Sequence, residues 1–294
     1  MIATAPGKLI LTGEYAVLEG APAMVVAVNR RAIATRGTAR SVSPFVLAVG
    51  DELAARGADA AAEIARHVTV DTSALYDGDT KLGLGSSAAA TVATTACAGV
   101  ARDDILAVAL AAHGNAQATR GARGSGADVA AAVHGGTIAF EAGRVRRLRW
   151  PAELLLVPFF TGVAADTAAL VARVTAQHSR AATDALAEIG DASRAAEASL
   201  DVQAFARAGA AIDRLARATG IALVPERVAA ARHALARLGG TAKTTGAGGG
   251  DVGVAVLPAT ADPAEVARLL VAAGCQPLRL SVDETGVDTR PPPI

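Results

Sequence analysis

Twenty consecutive residues, 82–101, carry no charge, and they open Leu-Gly-Leu-Gly-Ser-Ser before running on through alanine, threonine and one cysteine. A stretch of that length could cross a bilayer. Its composition argues otherwise, because alanine, threonine, serine and glycine contribute too little transfer free energy for insertion. A glycine loop leading straight into a buried helix of small side chains fits better. Gly83 and Gly85 allow backbone conformations closed to other residues, while Ser86 and Ser87 place hydroxyls at the helix start. Free N–H groups and the positive end of the helix dipole would form an anion site there. The pattern is neither GxxxxGK[ST] nor GxGxxG. On these residues alone, a tight-packing loop explains it as well as a phosphate loop.

Composition supports a folded, close-packed chain. Hydrophobic residues fill 52% of 294 positions and aromatic ones only 3%, so the apolar mass is mostly alanine, valine and leucine, and disorder is excluded. One or two domains are expected at this length. Twenty-eight basic and 28 acidic residues cancel. That removes the electrostatic footprint of a nucleic-acid binder and requires any anionic partner to be met locally. Cys97 and Cys275 stand apart with no CxxC or Cys/His cluster, so neither a disulfide framework nor a structural zinc is expected. The start shows no basic segment before a long apolar core. The expectations are therefore no signal peptide, no membrane partner and a cytoplasmic location.

Along the chain, Leu9–Leu11 and Met24–Val28 read as strands around a Thr12-Gly13-Glu14 turn. Ser86–Val100, Asp104–Ala118 and Asp128–Val133 read as helices, and Thr137–Phe140 with Val145–Trp150 as a hairpin turning at Glu141-Ala142-Gly143. Pro151 marks a boundary, dividing the chain into residues 1–150 and 151–294. Beyond it come a buried strand at Leu154–Phe160, amphipathic helices to Leu238, and a strand at Val252–Leu257. A helix at Pro263–Ala273 and a strand near Leu278–Val282 follow, and Arg290-Pro291-Pro292-Pro293 reads as a frayed end. Strand, helices, strand, helix, strand is an α+β arrangement.

Lysine occurs at Lys8, Lys81 and Lys243 only, against 25 arginines. Each lysine lies inside or beside a glycine-rich or Pro-Gly segment, where a compact ammonium can meet phosphate as a point charge. Lys243-Thr-Thr-Gly-Ala-Gly-Gly-Gly-Asp251 is costly to order, which marks a place where backbone approaches something closely. Arg120-Gly-Ala-Arg-Gly-Ser-Gly-Ala-Asp128 sets two arginines and a carboxylate ahead of a small-residue helix. His113 and the other histidines take no role, and Cys97 reads as core.

Pro6-Gly7-Lys8 with Gly13-Glu14-Tyr15, then Gly83-Leu-Gly-Ser-Ser-Ala88, then Gly246-Ala-Gly-Gly-Gly250, in that order, resembles the GHMP kinase superfamily. The lysine two residues before Gly83, the Gly124–Ala132 segment and Asp251 after the glycines are most similar to its phosphomevalonate kinase branch. The resemblance implies a two-domain α+β fold, with a ribosomal protein S5 domain 2-like ATP-binding half (1–150) and a ferredoxin-like half (151–294). It implies a monomeric or homodimeric enzyme with ATP and Mg²⁺ as cofactors and a small phosphorylated substrate. Gly83, Leu84, Gly85, Ser86, Ser87 and Ala88 would wrap the ATP phosphates, with Ser87 on the metal. Lys8 and Asp128 would be catalytic. Lys81, Arg120, Arg123, Ser125, Lys243, Gly246, Ala247, Gly248 and Gly249 would bind substrate.

That likeness implies phosphoryl transfer to phosphomevalonate. A phosphate acceptor has a second pKa near 6, so its oxygen is already a nucleophile at neutral pH and Asp128 would orient rather than abstract. The alternatives are a kinase for mevalonate or another hydroxyl, a diphosphomevalonate decarboxylase, and a non-catalytic ligand sensor. Two positions depart from the family pattern. Gln117 stands where related mevalonate kinases carry a metal-binding glutamate, and Ala165-Asp166 stands where the branch carries small hydroxyl residues.

Overall fold

The computed structural model describes residues 1–290. Two long strands, β1 (Ile2–Thr12) and β2 (Ala23–Arg36), form the antiparallel base of the first sheet. Their register slips between Pro6 and Gly7, so Gly7 and Lys8 pair with Val28 and Ala27. Two helices that the sequence reading did not place, α1 (Pro44–Ala55) and α2 (Asp59–Arg66), lead to β3 (Val68–Asp71), which pairs with β2. A two-stranded ribbon, β4 (Tyr76–Asp77) and β5 (Thr80–Lys81), delivers the chain to the first glycine loop.

The uncharged stretch forms α3 (Ser86–Cys97), in which every residue but Ser87 is buried. Its alanines share one core with Leu9, Leu11, Met24 and Val26 from the sheet. Small side chains make this possible, since a helix enclosed on all sides needs neighbours at close range. Beside it run α4 (Ile105–Ala118) and α5 (Ala127–His134). The expected hairpin follows as β6 (Thr137–Glu141) and β7 (Arg144–Leu148).

Past Pro151, β8 (Leu154–Phe160) opens a second sheet with its expected bounds. The long helical stretch resolves into α6 (Thr167–Thr175), α7 (Arg180–Ala198), α8 (Val202–Thr219) and α9 (Glu226–Ala236). Then come β9 (Thr241–Thr244), β10 (Val252–Pro258), α10 (Pro263–Ala272) and β11 (Gln276–Pro277). The sheet order is β11-β8-β10-β9, antiparallel throughout. Counted along the chain this is 4-1-3-2, the ferredoxin-like arrangement.

The strand expected near Leu278–Val282 is absent. Strand β11 ends at Pro277, and the following residues turn to the first sheet, where Ser281 N donates to the Asn29 side chain and Asp283 N to Ala27 O. The chain closes on β12 (Asp288–Arg290), which pairs with β1 through Ile2 and Arg290. Arg290 is thus a strand residue, while Pro291–Pro293 lie outside the described residues. Among the described residues no helix is long and apolar enough to cross a membrane.

Candidate active site

Strand β1 carries Lys8 to the mouth of the first glycine loop, and the two are laced together. The Lys8 backbone N–H donates to Leu84 O at 2.8 Å, and its Nζ donates to Gly83 O at 3.2 Å. Both loop glycines are in the left-handed region, at φ 71° for Gly83 and 77° for Gly85. Neither has room for a Cβ, which would fall 2.6 Å from Asp251 Oδ2 at Gly83 and 2.9 Å from Lys8 Cε at Gly85. Leu84 is buried in the core and anchors the loop. No side chain caps α3, so its first N–H groups and dipole face the loop.

Four charges converge here. Asp128 lies in the first turn of α5, after Gly126 at φ 84°, and accepts from Val129 N at 2.9 Å. Asp251, just before β10, and Lys81, at the end of β5, complete the group. Burial pushes the Lys8 ammonium below its usual pKa; the Asp128 and Asp251 charges pull it back, and Lys81 adds to the push. Burial pushes the Asp251 carboxyl up, opposed by a hydrogen bond from Ala165 N and by Lys81 and Lys8.

Ser87 Oγ lies 3.2 Å from His113 Nε2. His113 is buried on α4 and stacked on Phe45 at 5.2 Å, and the Arg120 guanidinium lies 5.7 Å from the Phe45 ring centroid. His113, given no role in the sequence reading, therefore touches a residue expected to hold the metal. It sits four residues before Gln117, on the same face of the helix. Among the described residues the buried Gln117 amide oxygen has no hydrogen-bond partner, and it packs on Gly124.

The other expected site residues are spread more widely. Arg123 is exposed and donates to Leu18 O at 3.0 Å, at the rim of a hollow of about 380 Å³ that also contains Gly124, Ser125 and Glu19. Ser125 Oγ accepts from Ala127 N. A hollow of about 530 Å³ lies between Tyr15–Ala21 and helices α6 and α7, and includes neither Lys8 nor Asp128. Lys243 is not at the cluster. It is buried on β9, and its ammonium donates to Glu14 Oε1 and, at 2.7 Å, to Thr244 O. Its charge is met inside the protein by the Glu14 carboxylate.

The third glycine loop is packed against the protein itself. Gly249 N donates to Leu223 O at 2.7 Å, and a Cβ would fall 2.3 Å from Leu223 O at Gly248 and 2.6 Å from Val163 O at Gly250. Ala247 O accepts from the hydroxyl of Tyr15, a residue at φ 62°. Burial and the Glu14 charge push the Tyr15 phenol above its ordinary range, so it stays a donor. The Glu14-Tyr15 pair thus ties the first half of the chain to Lys243 and to this loop. Asp166, the unexpected carboxylate, accepts from Ala169 N at 3.0 Å and caps α6.

No family model matches the chain. Over 96% of its length it is 31% identical to the phosphomevalonate kinase of Streptomyces sp. (strain CL190), of which 97% is covered. The Lin0012 protein of Listeria innocua has a similar structure, at a TM-score of 0.81 and 20% identity, covering 98% of this chain and 99% of that one. A Streptococcus pneumoniae phosphomevalonate kinase solved with phosphomevalonate and AMPPNP matches at a TM-score of 0.75 and 17% identity, covering 96% and 99%.

Proposed function

The chain belongs to the GHMP kinase superfamily, with a phosphomevalonate kinase as its 31% identical relative, and from that premise we propose that it transfers the γ-phosphoryl group of ATP to phosphomevalonate. An oxygen of the acceptor phosphate attacks the γ-phosphorus and the bond to the β–γ bridging oxygen breaks. Diphosphomevalonate and ADP leave. The observation that carries this reading is Lys8, whose ammonium is hydrogen-bonded to the loop at the start of α3 while the Asp128 charge acts on it.

In this reading residues 1–150 hold the nucleotide and residues 151–294 close the acceptor side. Gly83 to Ala88 wrap the phosphates of ATP, whose charge meets the N–H groups and dipole of α3. Lys8 stabilises charge that grows between donor and acceptor, the kind of interaction that accelerates the chemical step. Asp128 orients Lys8 and the acceptor. A phosphate monoester is already ionised at neutral pH and needs no base. Lys81, Arg120, Arg123 and Ser125, with Gly246, Ala247, Gly248 and Gly249, serve the acceptor. Asp166 does not oppose a phosphorylated substrate, because its carboxylate is engaged by the N-terminus of α6.

The donor set fits Mg²⁺ as an ion that arrives with ATP. Among the described residues no three His, Cys, Asp or Glu side chains cluster to cage a metal, whereas Mg²⁺ retains waters and takes one or two protein ligands beside the phosphates. Ser87 would supply that oxygen, and the ion would neutralise phosphate charge. The test is coupled ADP release with ATP and Mg²⁺ against phosphomevalonate, mevalonate and diphosphomevalonate, with carbon dioxide followed in parallel. ADP with phosphomevalonate alone is the expected result. Turnover of mevalonate alone, or carbon dioxide from diphosphomevalonate, would replace the reading with a rival.

A further inference from the structure

Asp251 is the one charge in the Lys8 cluster that phosphoryl transfer does not obviously need, since a carboxylate beside two anionic substrates is unfavourable. Yet the chain goes to some length to put it there. Asp251 takes the left-handed conformation at φ 52°, which costs any residue but glycine, although Asp and Asn tolerate it best. It is 9% exposed. Its backbone N–H donates to Val163 O at 2.7 Å, its carbonyl accepts from Thr161 N at 2.9 Å, and its Oδ1 accepts from Ala165 N at 3.0 Å. The residue is therefore fixed to the segment after β8 by three hydrogen bonds.

Its other carboxylate oxygen faces the first half of the molecule. The space that a Cβ on Gly83 would take is closed by Oδ2 at 2.6 Å. On the carbonyl of that same glycine sits the Lys8 ammonium. Gly83 is thus sandwiched between Lys8 and Asp251, and this contact between the halves occurs at the loop that would wrap phosphate. The Asp251 carboxylate acts on Lys8 across Gly83, as a charge and not as a direct ion pair.

We propose that Asp251 is a positioning residue: from the far side of Gly83 its carboxylate balances the charge of the Lys8 ammonium, and it ties the first glycine loop to the second half of the molecule. The charged groups that act on Lys8 are Asp128 from α5, Asp251 from the turn before β10 and Lys81 from β5. Without Asp251, one of the two opposing carboxylates is lost and the ammonium gives up its proton more readily. The kinetic part of this inference rests on the proposed phosphoryl transfer; the link between Asp251 and Lys8 does not.

With only three lysines in the chain, Cε labelling of lysine yields one side-chain resonance for each, assignable with Lys8→Arg and Lys81→Arg. Titrations would compare wild type with Asp251→Asn, which keeps the acceptor for Ala165 N and suits φ > 0, and with Asp251→Gly, which relieves the backbone. In both variants the Lys8 resonance is expected to titrate at lower pH. The alkaline limb of kcat should move the same way, and kcat should fall about tenfold while KM for ATP changes less, consistent with loss of one charge partner. An unmoved Lys8 titration, or a moved one with wild-type kcat, overturns the proposal and makes Asp251 a turn residue. A moved titration in a protein that releases no ADP from any acceptor leaves the counter-ion standing and removes the kinase reading instead.

Discussion

The first and third glycine loops look alike as sequence but are glycine-rich for different reasons. Gly83 and Gly85 yield space to polar side chains, Asp251 and Lys8, and the loop opens onto an uncapped helix start. Gly248 and Gly250 yield space to backbone carbonyls of the same half, Leu223 and Val163. One loop is shaped around charged side chains, the other around the main chain that supports it. Glycine content shows that something comes close; only the neighbours show whether it is a ligand site or a packing joint.

The contrast can be attacked first at Lys8. Lys8→Ala is expected to lower kcat about a thousandfold, about 4 kcal/mol, with a small change in KM for ATP. Steady-state kinetics checks this, and wild-type kcat would remove the catalytic role. At the third loop the damage should appear in stability. Lys243→Met leaves the buried Glu14 carboxyl without its ion-pair partner, at a cost of about 3 kcal/mol, readable from denaturant midpoints, and a selective rise in acceptor KM would show that Lys243 serves the substrate. Gly248→Ala forces a side chain onto Leu223 O at φ 69° and should lose about 2 kcal/mol of unfolding free energy. Gly83→Ala, by contrast, should raise KM for ATP more than it lowers the melting temperature. The smallest effect is expected at Asp166→Ala, a lost helix cap worth about 1 kcal/mol, visible in thermal melts without a change in acceptor KM.

Local signals were legible in the sequence. The bounds of β8 and the turn of the β6–β7 hairpin follow from apolar runs and turn residues, and the small-residue run of α3 foretold a helix buried on all sides. Ser43-Pro44 is the start signal of α1 that the sequence carries, with proline in the first turn. What could not be read depends on distant partners. Lys243 and Glu14 are 229 residues apart, so nothing near either announces that the lysine is buried. His113 is one polar residue on an alanine-rich helix until Ser87, 26 positions earlier, is placed against it. The misplaced strand at Leu278–Val282 has the composition of a strand, but the first sheet captures its backbone at Ala27 and Asn29.

The pairing of β12 with β1 bears on the order in which the chain can be finished. Domains generally fold as they emerge during synthesis, and an unpaired strand edge invites association meanwhile. Here the partner for Ile2–Thr4 is residues 288–290, so one edge of the first sheet stays open until those residues have left the ribosome. Strand β1 thus waits for β12, and loss of residues 288–290 would leave that edge of β1 unpaired.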